Sequence, residues 1–218
     1  MKLLITAGPT REPLDPVRFL TNRSSGRMGY ALAEAAVAEG FEVDLISGPV
    51  SIPAPAKAIV HQVETAQQMW EAVRQLVQEP DAPDIAILCA AVADYRPKQV
   101  SEQKIKKSAD TLTLELERTP DVLGSMRHPF EFRGYLVGFA AETQDLITNA
   151  QDKLKRKGCD LVIANDVSRQ DTGFDSTENE VMLCLPSGET ELIPKQSKQA
   201  LAREIIRRVV ALASPSRP

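Results

Sequence analysis

The sequence predicts an α/β protein, a doubly wound and mostly parallel sheet with an appended antiparallel hairpin arm. Three observations carry that prediction. Short apolar segments alternate along the chain with segments whose apolar residues recur at helical spacing. Residues 84–92 are continuously apolar after Asp84, as a central parallel strand covered on both faces requires. Residues 181–185 and 191–194 form two short apolar-rich limbs about a Pro186-Ser187-Gly188-Glu189 turn, the pattern of a hairpin.

The elements follow in chain order. Residues 3–6 are a first buried strand. Met28, Leu32, Ala35 and Ala36 recur on one helical face, and Gly40 ends that helix as a C-terminal cap. Residues 41–46 alternate and stop at Ser47-Gly48-Pro49, a second strand and its turn. Residues 58–63 make a third strand, and Thr65 caps a helix carrying Met69, Val73, Leu76 and Val77. Beyond the central strand, residues 135–139 and 161–164 read as two more, separated by a helix over 143–158. Leu201, Ile205, Val209 and Leu212 stripe the last helix, and residues 214–218 are expected to fray. Right-handed crossovers between such strands make the layer Rossmann-like. Two stretches break the rhythm. Residues 93–107 are polar, carry Lys98, Lys104, Lys106 and Lys107, and lack a helical stripe, which predicts a flexible flap. A polar loop over 166–178 leads into the hairpin, so 166–195 is expected to be a dimerisation arm whose exposed edge a neighbour covers. Residues 1–218 read as one domain.

At 218 residues the chain is long enough to bury a core without disulfide or metal staples. Its 43% hydrophobic and 26% charged residues are those of an ordinary globular protein. No apolar run approaches the ~18 residues of a membrane span, and the first six residues meet Gly8-Pro9 too soon for a signal peptide. A net charge of −4 argues against a protein that coats nucleic acid by bulk electrostatics, while leaving local basic sites open. Cys89, Cys159 and Cys184 lack C-x-x-C spacing and lie in or beside apolar segments, as inert thiols of a reducing cytoplasm do.

In open α/β sheets ligands sit beyond the carboxyl ends of the strands. After the first strand, about eighteen residues intervene before the helix, so the tight three-glycine dinucleotide turn is absent. Ser24-Ser25-Gly26 opens that helix and offers backbone N–H groups, hydroxyls and the positive end of the macrodipole, the parts of an anion site; Ser25 as a plain helix cap is the alternative. Asp94 stands just past the central strand among small residues, where a carboxylate can hold a ribose hydroxyl or a magnesium-bound water; a solvated loop carboxylate is the alternative. Helical phase singles out two lysines. With Leu146 at zero and about 100° per residue, Lys153 and Lys157 fall near −20° and +20°, on the side of Ala150 and Leu154, while Lys155 faces away. Lysines on a buried stripe must snorkel or meet an anion, so a polyanionic ligand is expected; cations simply favoured by the C-terminal end of the macrodipole are the alternative. His61 lies inside a strand and His128 in a Pro-flanked loop, so no metal-ligand spacing and no histidine-based triad arises. Chemistry here must rest on charge stabilisation and positioning, as nucleotidyl transfer does.

Six ordered motifs carry a family resemblance: residues 5–18 (ITAGPTREPLDPVR), 22–29 (NRSSGRMG), 90–95 (AAVADY), 104–107 (KIKK), 138–143 (GFAAET) and 164–167 (ANDV). From the first strand to the last helix the chain resembles phosphopantothenoylcysteine synthetase, the ligase domain of bacterial coenzyme A biosynthesis. The resemblance implies that 4′-phosphopantothenate attacks CTP to give an acyl-cytidylate and pyrophosphate, and that L-cysteine then displaces CMP. It implies Mg2+ with CTP as co-substrate and no flavin in this chain. It places the cytidine and triphosphate at Leu88, Cys89, Ala90, Asp94, Lys104, Pro120, Asp121, Val122, Leu123, Phe139, Lys153 and Lys157. It assigns Asn22 to the acyl-cytidylate step and Arg18 to the phosphorylated substrate. Arg27 stands where the family commonly has lysine, which keeps the charge and alters phosphate geometry. A cytoplasmic homodimer, with a flavin-dependent decarboxylase domain as a further partner and no nucleic acid or membrane, completes the expectation. Two other readings are open to the bare α/β pattern: a nicotinamide- or flavin-binding oxidoreductase, and a non-catalytic nucleotide-binding module.

Overall fold

The computed structural model describes residues 1–107, 110–168 and 178–214. In chain order the elements are β1 (Lys2–Ala7), β2 (Arg11–Pro13), β3 (Phe19–Thr21), α1 (Arg27–Ala38), β4 (Glu42–Ser47), β5 (Ile59–Gln62), α2 (Ala66–Gln78) and β6 (Ile85–Leu88). There follow β7 (Tyr95–Pro97), β8 (Leu116–Arg118), α3 (Val122–Ser125), β9 (Tyr135–Glu142), α4 (Leu146–Lys157), β10 (Leu161–Asp166), β11 (Glu178–Cys184), β12 (Thr190–Ser197) and α5 (Lys198–Ala213). The main sheet runs β12-β11-β10-β9-β6-β1-β4-β5, parallel from β5 through to β10 and antiparallel at β11 and β12. The chain winds outward from β1 through β4 and β5, then returns to β6 on the other side of β1. The direction of winding therefore reverses between β1 and β6, where a crevice opens.

Two apolar layers hold the sheet. Leu3, Ile5, Leu45, Ile87, Val137 and Ile163 face α1 and α5, while Leu4, Ile46, Ala86, Leu136 and Val162 face α2, α3 and α4. The alternation along each strand sends successive side chains to opposite layers, so these strands read as continuously apolar. Gly26 lets α1 begin against the β1 turn: its φ is 76°, and a Cβ there would meet Val50 Cγ1 at 2.6 Å. Thr65 closes a capping box with Gln68 at the start of α2.

Several expectations shift. The apolar run 84–92 is not all strand: β6 ends at Leu88, and the chain then leaves the ladder, with Ala91 making an isolated bridge to Pro9. Thr6 captures it there, its Oγ1 accepting from the Ala90 N–H at 3.1 Å. The flap is part ribbon, since β7 pairs with β8, which sequence periodicity does not show in three residues. The short β2–β3 hairpin was equally invisible. The helix expected from 143 starts at Leu146, and Leu212 is 42% exposed rather than core. The C-terminal hairpin is appended to the sheet as expected: β11 pairs antiparallel with β10, so the hairpin forms the sheet's edge, with Pro194 in the outermost strand where a lost donor is tolerated. Residues 169–177 of the loop before it, and 215–218 of the expected frayed tail, lie outside the described residues.

Candidate active site

A cleft of about 810 Å³ opens at the carboxyl edge beside the β1/β6 reversal, a volume suited to a nucleotide. Thr6, next to last in β1, and Leu88, last in β6, lie at its base. The 89–94 loop forms one wall and is stitched down on both sides. Thr10 Oγ1 accepts from the Ala93 N–H at 2.9 Å, and the Thr119 hydroxyl donates to the Ala93 carbonyl at 2.6 Å. Fixed this way, Asp94 presents an exposed carboxylate to the cleft with no hydrogen bond among the described residues.

The opposite wall is the α3–α4 pair. Asp121 is the N-cap of α3, its Oδ1 accepting from the Gly124 N–H at 2.8 Å. A Cβ on Gly124 would lie 2.4 Å from Asp121 Oδ2, so glycine is required for that cap. Oδ2 in turn accepts from Lys157 Nζ. Burial works to raise the Asp121 pKa, but the hydrogen bonds from Lys157 and Gly124 and the charges of Lys157 and Arg156 outweigh it, holding it below its ordinary value. Lys153 donates to the Phe139 carbonyl at 2.6 Å. Burial lowers its pKa, with Lys157 and Arg156 adding to the effect against the pull of Glu142. A partly desolvated lysine beside two further cations is poised for an anion, whose charge would offset both penalties.

The structure thus brings together many of the residues singled out from sequence. Leu88, Ala90 and Asp94 line the cleft from one side, and Pro120, Asp121, Val122 and Leu123 from another. Lys153 and Lys157 reach it from α4, while Lys155 is exposed on the far side, as helical phase requires. Phe139 contributes its carbonyl through Lys153. Cys89 does not line the cleft: it is half-buried toward the α1–α5 layer, and burial pushes its thiol up to about 12. Cys159 and Cys184 are buried free thiols.

A second group stands apart from this cleft. Asn22 Nδ2 donates to the carbonyls of Ala91 and Val92, both at 3.1 Å, and so rests on the back of the 89–94 loop. Ser24 Oγ accepts from the Gly26 N–H at 3.3 Å, and the N-cap of α1 is Gly26 with no side-chain capping bond, so Ser25 is not a plain cap. Arg18 is bound to Asp15 and to the Ile105 carbonyl, and Lys104 is exposed beside it. Sequence reasoning missed Arg118, Thr119, Glu142, Asn149, Asp152 and Arg156, all on the cleft. Arg156 was within reach of the helical-phase argument, one turn from Lys153. Arg118 belongs to a strand too short for any periodic signal.

A family model described as the DNA/pantothenate metabolism flavoprotein C-terminal domain matches residues 1–212. This chain belongs to that family. Among curated members, the coenzyme A biosynthesis bifunctional protein CoaBC of Vibrio vulnificus YJ016 is 49% identical over 212 residues, covering 96% of this chain and 52% of that protein. CoaBC of Bacillus subtilis 168 is 47% identical over 97% of this chain and 51% of that protein. The chain therefore spans about half the length of the curated relatives it matches. A crystal structure of the C-terminal domain of a CoaBC protein superposes with a TM-score of 0.81 at 42% identity, covering 97% of this chain and 94% of that one. A Cab2 mutant in complex with phosphopantothenate-cysteine shares the fold, with a TM-score of 0.78 at 20% identity over 96% of this chain and 85% of that one. The family domain thus accounts for the sheet and both its layers.

Proposed function

We propose that this chain is a phosphopantothenate–cysteine ligase of coenzyme A biosynthesis that activates its acid with CTP. The observation that carries the reading is the cleft itself: Asp94 on one wall faces Lys153 and Lys157 on the other, inside a family domain whose relatives are coenzyme A biosynthesis proteins. A triphosphate meets the α4 lysines and the neighbouring Arg156, while Asp94 accepts from the ribose. Phosphopantothenate lies toward Asn22, Arg18 and the Ser24-Ser25-Gly26 turn at the amino end of α1, where N–H groups and the macrodipole favour its phosphate.

In the first half-reaction the substrate carboxylate attacks the α-phosphorus of CTP and pyrophosphate leaves. The α4 cations, joined by Lys104 once the 93–107 segment closes over the cleft, offset the charge that builds on the phosphate oxygens. In the second, the cysteine amine attacks the acyl carbon, CMP leaves, and the amine proton passes to solvent. Asn22 spans the loop carbonyls next to the acyl group and steers that attack. Closure of the 93–107 segment would exclude water from the acyl-nucleotide. Mg2+ arriving with the triphosphate would supply further charge neutralisation, and the hard oxygens of Asp94 and Asp121 fit such an ion. Among the described residues no group of three or more His, Cys, Asp or Glu forms a metal cage.

The chain acts as one domain in the cytoplasm, as a homodimer in which the 166–195 arm of each subunit contacts the other, and a flavin-dependent decarboxylase domain is its further partner. Among the described residues no helix is long and apolar enough to cross a membrane. An oxidoreductase reading gains nothing from the structure, since the β2–β3 hairpin stands where a glycine turn would join β1 to α1. Incubation with CTP, Mg2+, phosphopantothenate and cysteine decides the matter. Pyrophosphate release that requires phosphopantothenate is expected; its absence, with tight NAD(H) binding, would overturn the ligase.

A further inference from the structure

The turn between β2 and β3 carries a buried acid that the ligase scheme leaves without a role. Asp15 is 3% exposed. Its Oδ1 accepts from the backbone N–H groups of Val17 and Arg18, at 2.8 and 2.9 Å, and closes the turn. An asparagine would serve that purpose as well, because a turn of this kind uses one side-chain oxygen and no charge.

The second oxygen reaches out of the turn. Oδ2 accepts from Arg18 Nε at 3.0 Å, from Arg18 Nη2 at 2.5 Å and from the Ile105 N–H at 3.0 Å, ninety residues further along the chain. Arg18 Nη2 also donates to the Ile105 carbonyl at 2.8 Å, so both backbone groups of Ile105 are held by one ion pair. A second tie lies close by, where the Ser101 N–H donates to the Leu14 carbonyl at 3.0 Å. Lys104 stands between these two anchors. The Arg18 hydrogen bond, joined by the N–H groups of Ile105, Val17 and Arg18, holds the Asp15 carboxyl well below the usual carboxylate range despite its burial. Arg18 Nη1 makes no hydrogen bond among the described residues, so the same guanidinium can meet a substrate phosphate while it stays tied to Asp15.

We propose that Asp15 is a positioning residue for Lys104: through Arg18 and the Ile105 backbone it fixes the lysine-bearing segment and couples it to the phosphopantothenate side of the site. The inference rests on the ligase reading for the task of Lys104, and on geometry alone for the tie itself. Asp15→Asn keeps the turn oxygen and removes the charge.

Amide exchange at Ile105 and Ser101 in the ligand-free protein tests the tie. Exchange at least roughly tenfold faster in Asp15→Asn than in the wild type is expected, and equal rates would overturn the proposal. A double-mutant cycle tests the coupling. Asp15→Asn should lower kcat/KM for CTP in pyrophosphate release roughly tenfold in the wild-type background and less than about twofold on top of Lys104→Gln. Equal losses in both backgrounds would mean that Asp15 acts elsewhere and would overturn it. Wild-type protein that releases no pyrophosphate refutes the ligase reading instead, and leaves the exchange result to decide the tie.

Discussion

At the amino edge of the sheet Lys2, Asp44, Asp84, Arg127 and Asp160 are bound to one another or to backbone. At the carboxyl edge the Asp94 carboxylate and the Arg118 guanidinium face the cleft with no hydrogen bond among the described residues. Arg127 alone donates to the carbonyls of Gly158, Phe132 and Gly134 and to Asp160, whose Oδ2 also accepts from the Leu136 N–H at 2.7 Å. Asp84 accepts from the Lys2 N–H at 2.8 Å, and Lys2 Nζ reaches Asp44, which His61 also meets at 2.7 Å. The amino edge of the sheet thus carries closed polar networks, whereas at the carboxyl edge the 89–94 loop and β8 leave Asp94 and Arg118 open to the cleft. Satisfied networks rigidify a fold, whereas exposed charges without protein partners are open to a ligand. Work is divided between the two edges.

Substitutions should separate the two edges. The largest effect is expected for Lys153→Gln. It should lower kcat/KM for CTP by about 10²-fold, as loss of a charge-stabilising donor does, with little change in the denaturation midpoint. Steady-state kinetics beside urea unfolding checks this, and a large stability loss would blur the division. Arg127→Ala should do the reverse. It leaves three backbone carbonyls without that donor and Asp160 without its ion-pair partner, and should cost about 2 kcal/mol of stability, while activity per folded molecule stays near that of the wild type. The smallest effect concerns acid. Native Asp15 binds a proton less readily than an unfolded aspartate of pKa 3.8. Its stabilisation is therefore complete above that value and is lost as pH falls below it. Unfolding followed at pH 7 and pH 3 should show a smaller drop for Asp15→Asn than for the wild type.

How far the sequence disclosed these features depended on their length and burial. The parallel strands were legible because both faces are covered, which leaves runs such as residues 161–164 almost wholly apolar. Lys153 and Lys157 were legible because a twelve-residue helix sets a phase against Leu154 and Ala150. Three-residue strands set none. The β2–β3 and β7–β8 ribbons are held by Asp15, Thr10 and Thr119, polar residues whose partners lie far along the chain, and no local pattern announces such pairs. The end of β6 was misplaced because Cys89, Ala90, Ala91 and Val92 are as apolar as the strand before them. What turns them out of the ladder is a hydroxyl on β1, more than eighty residues earlier.

Hydrogen exchange across the whole chain, with and without CTP and Mg2+, tests the division of the two edges most directly. Slower exchange is expected in residues 88–94, 119–123 and 139–142 and at Ile105, with no change at Lys2, Asp84, Leu136 and Asp160. Protection centred on those amino-edge residues, or none anywhere at saturating CTP, would contradict the assignment of the carboxyl-edge cleft as the nucleotide site.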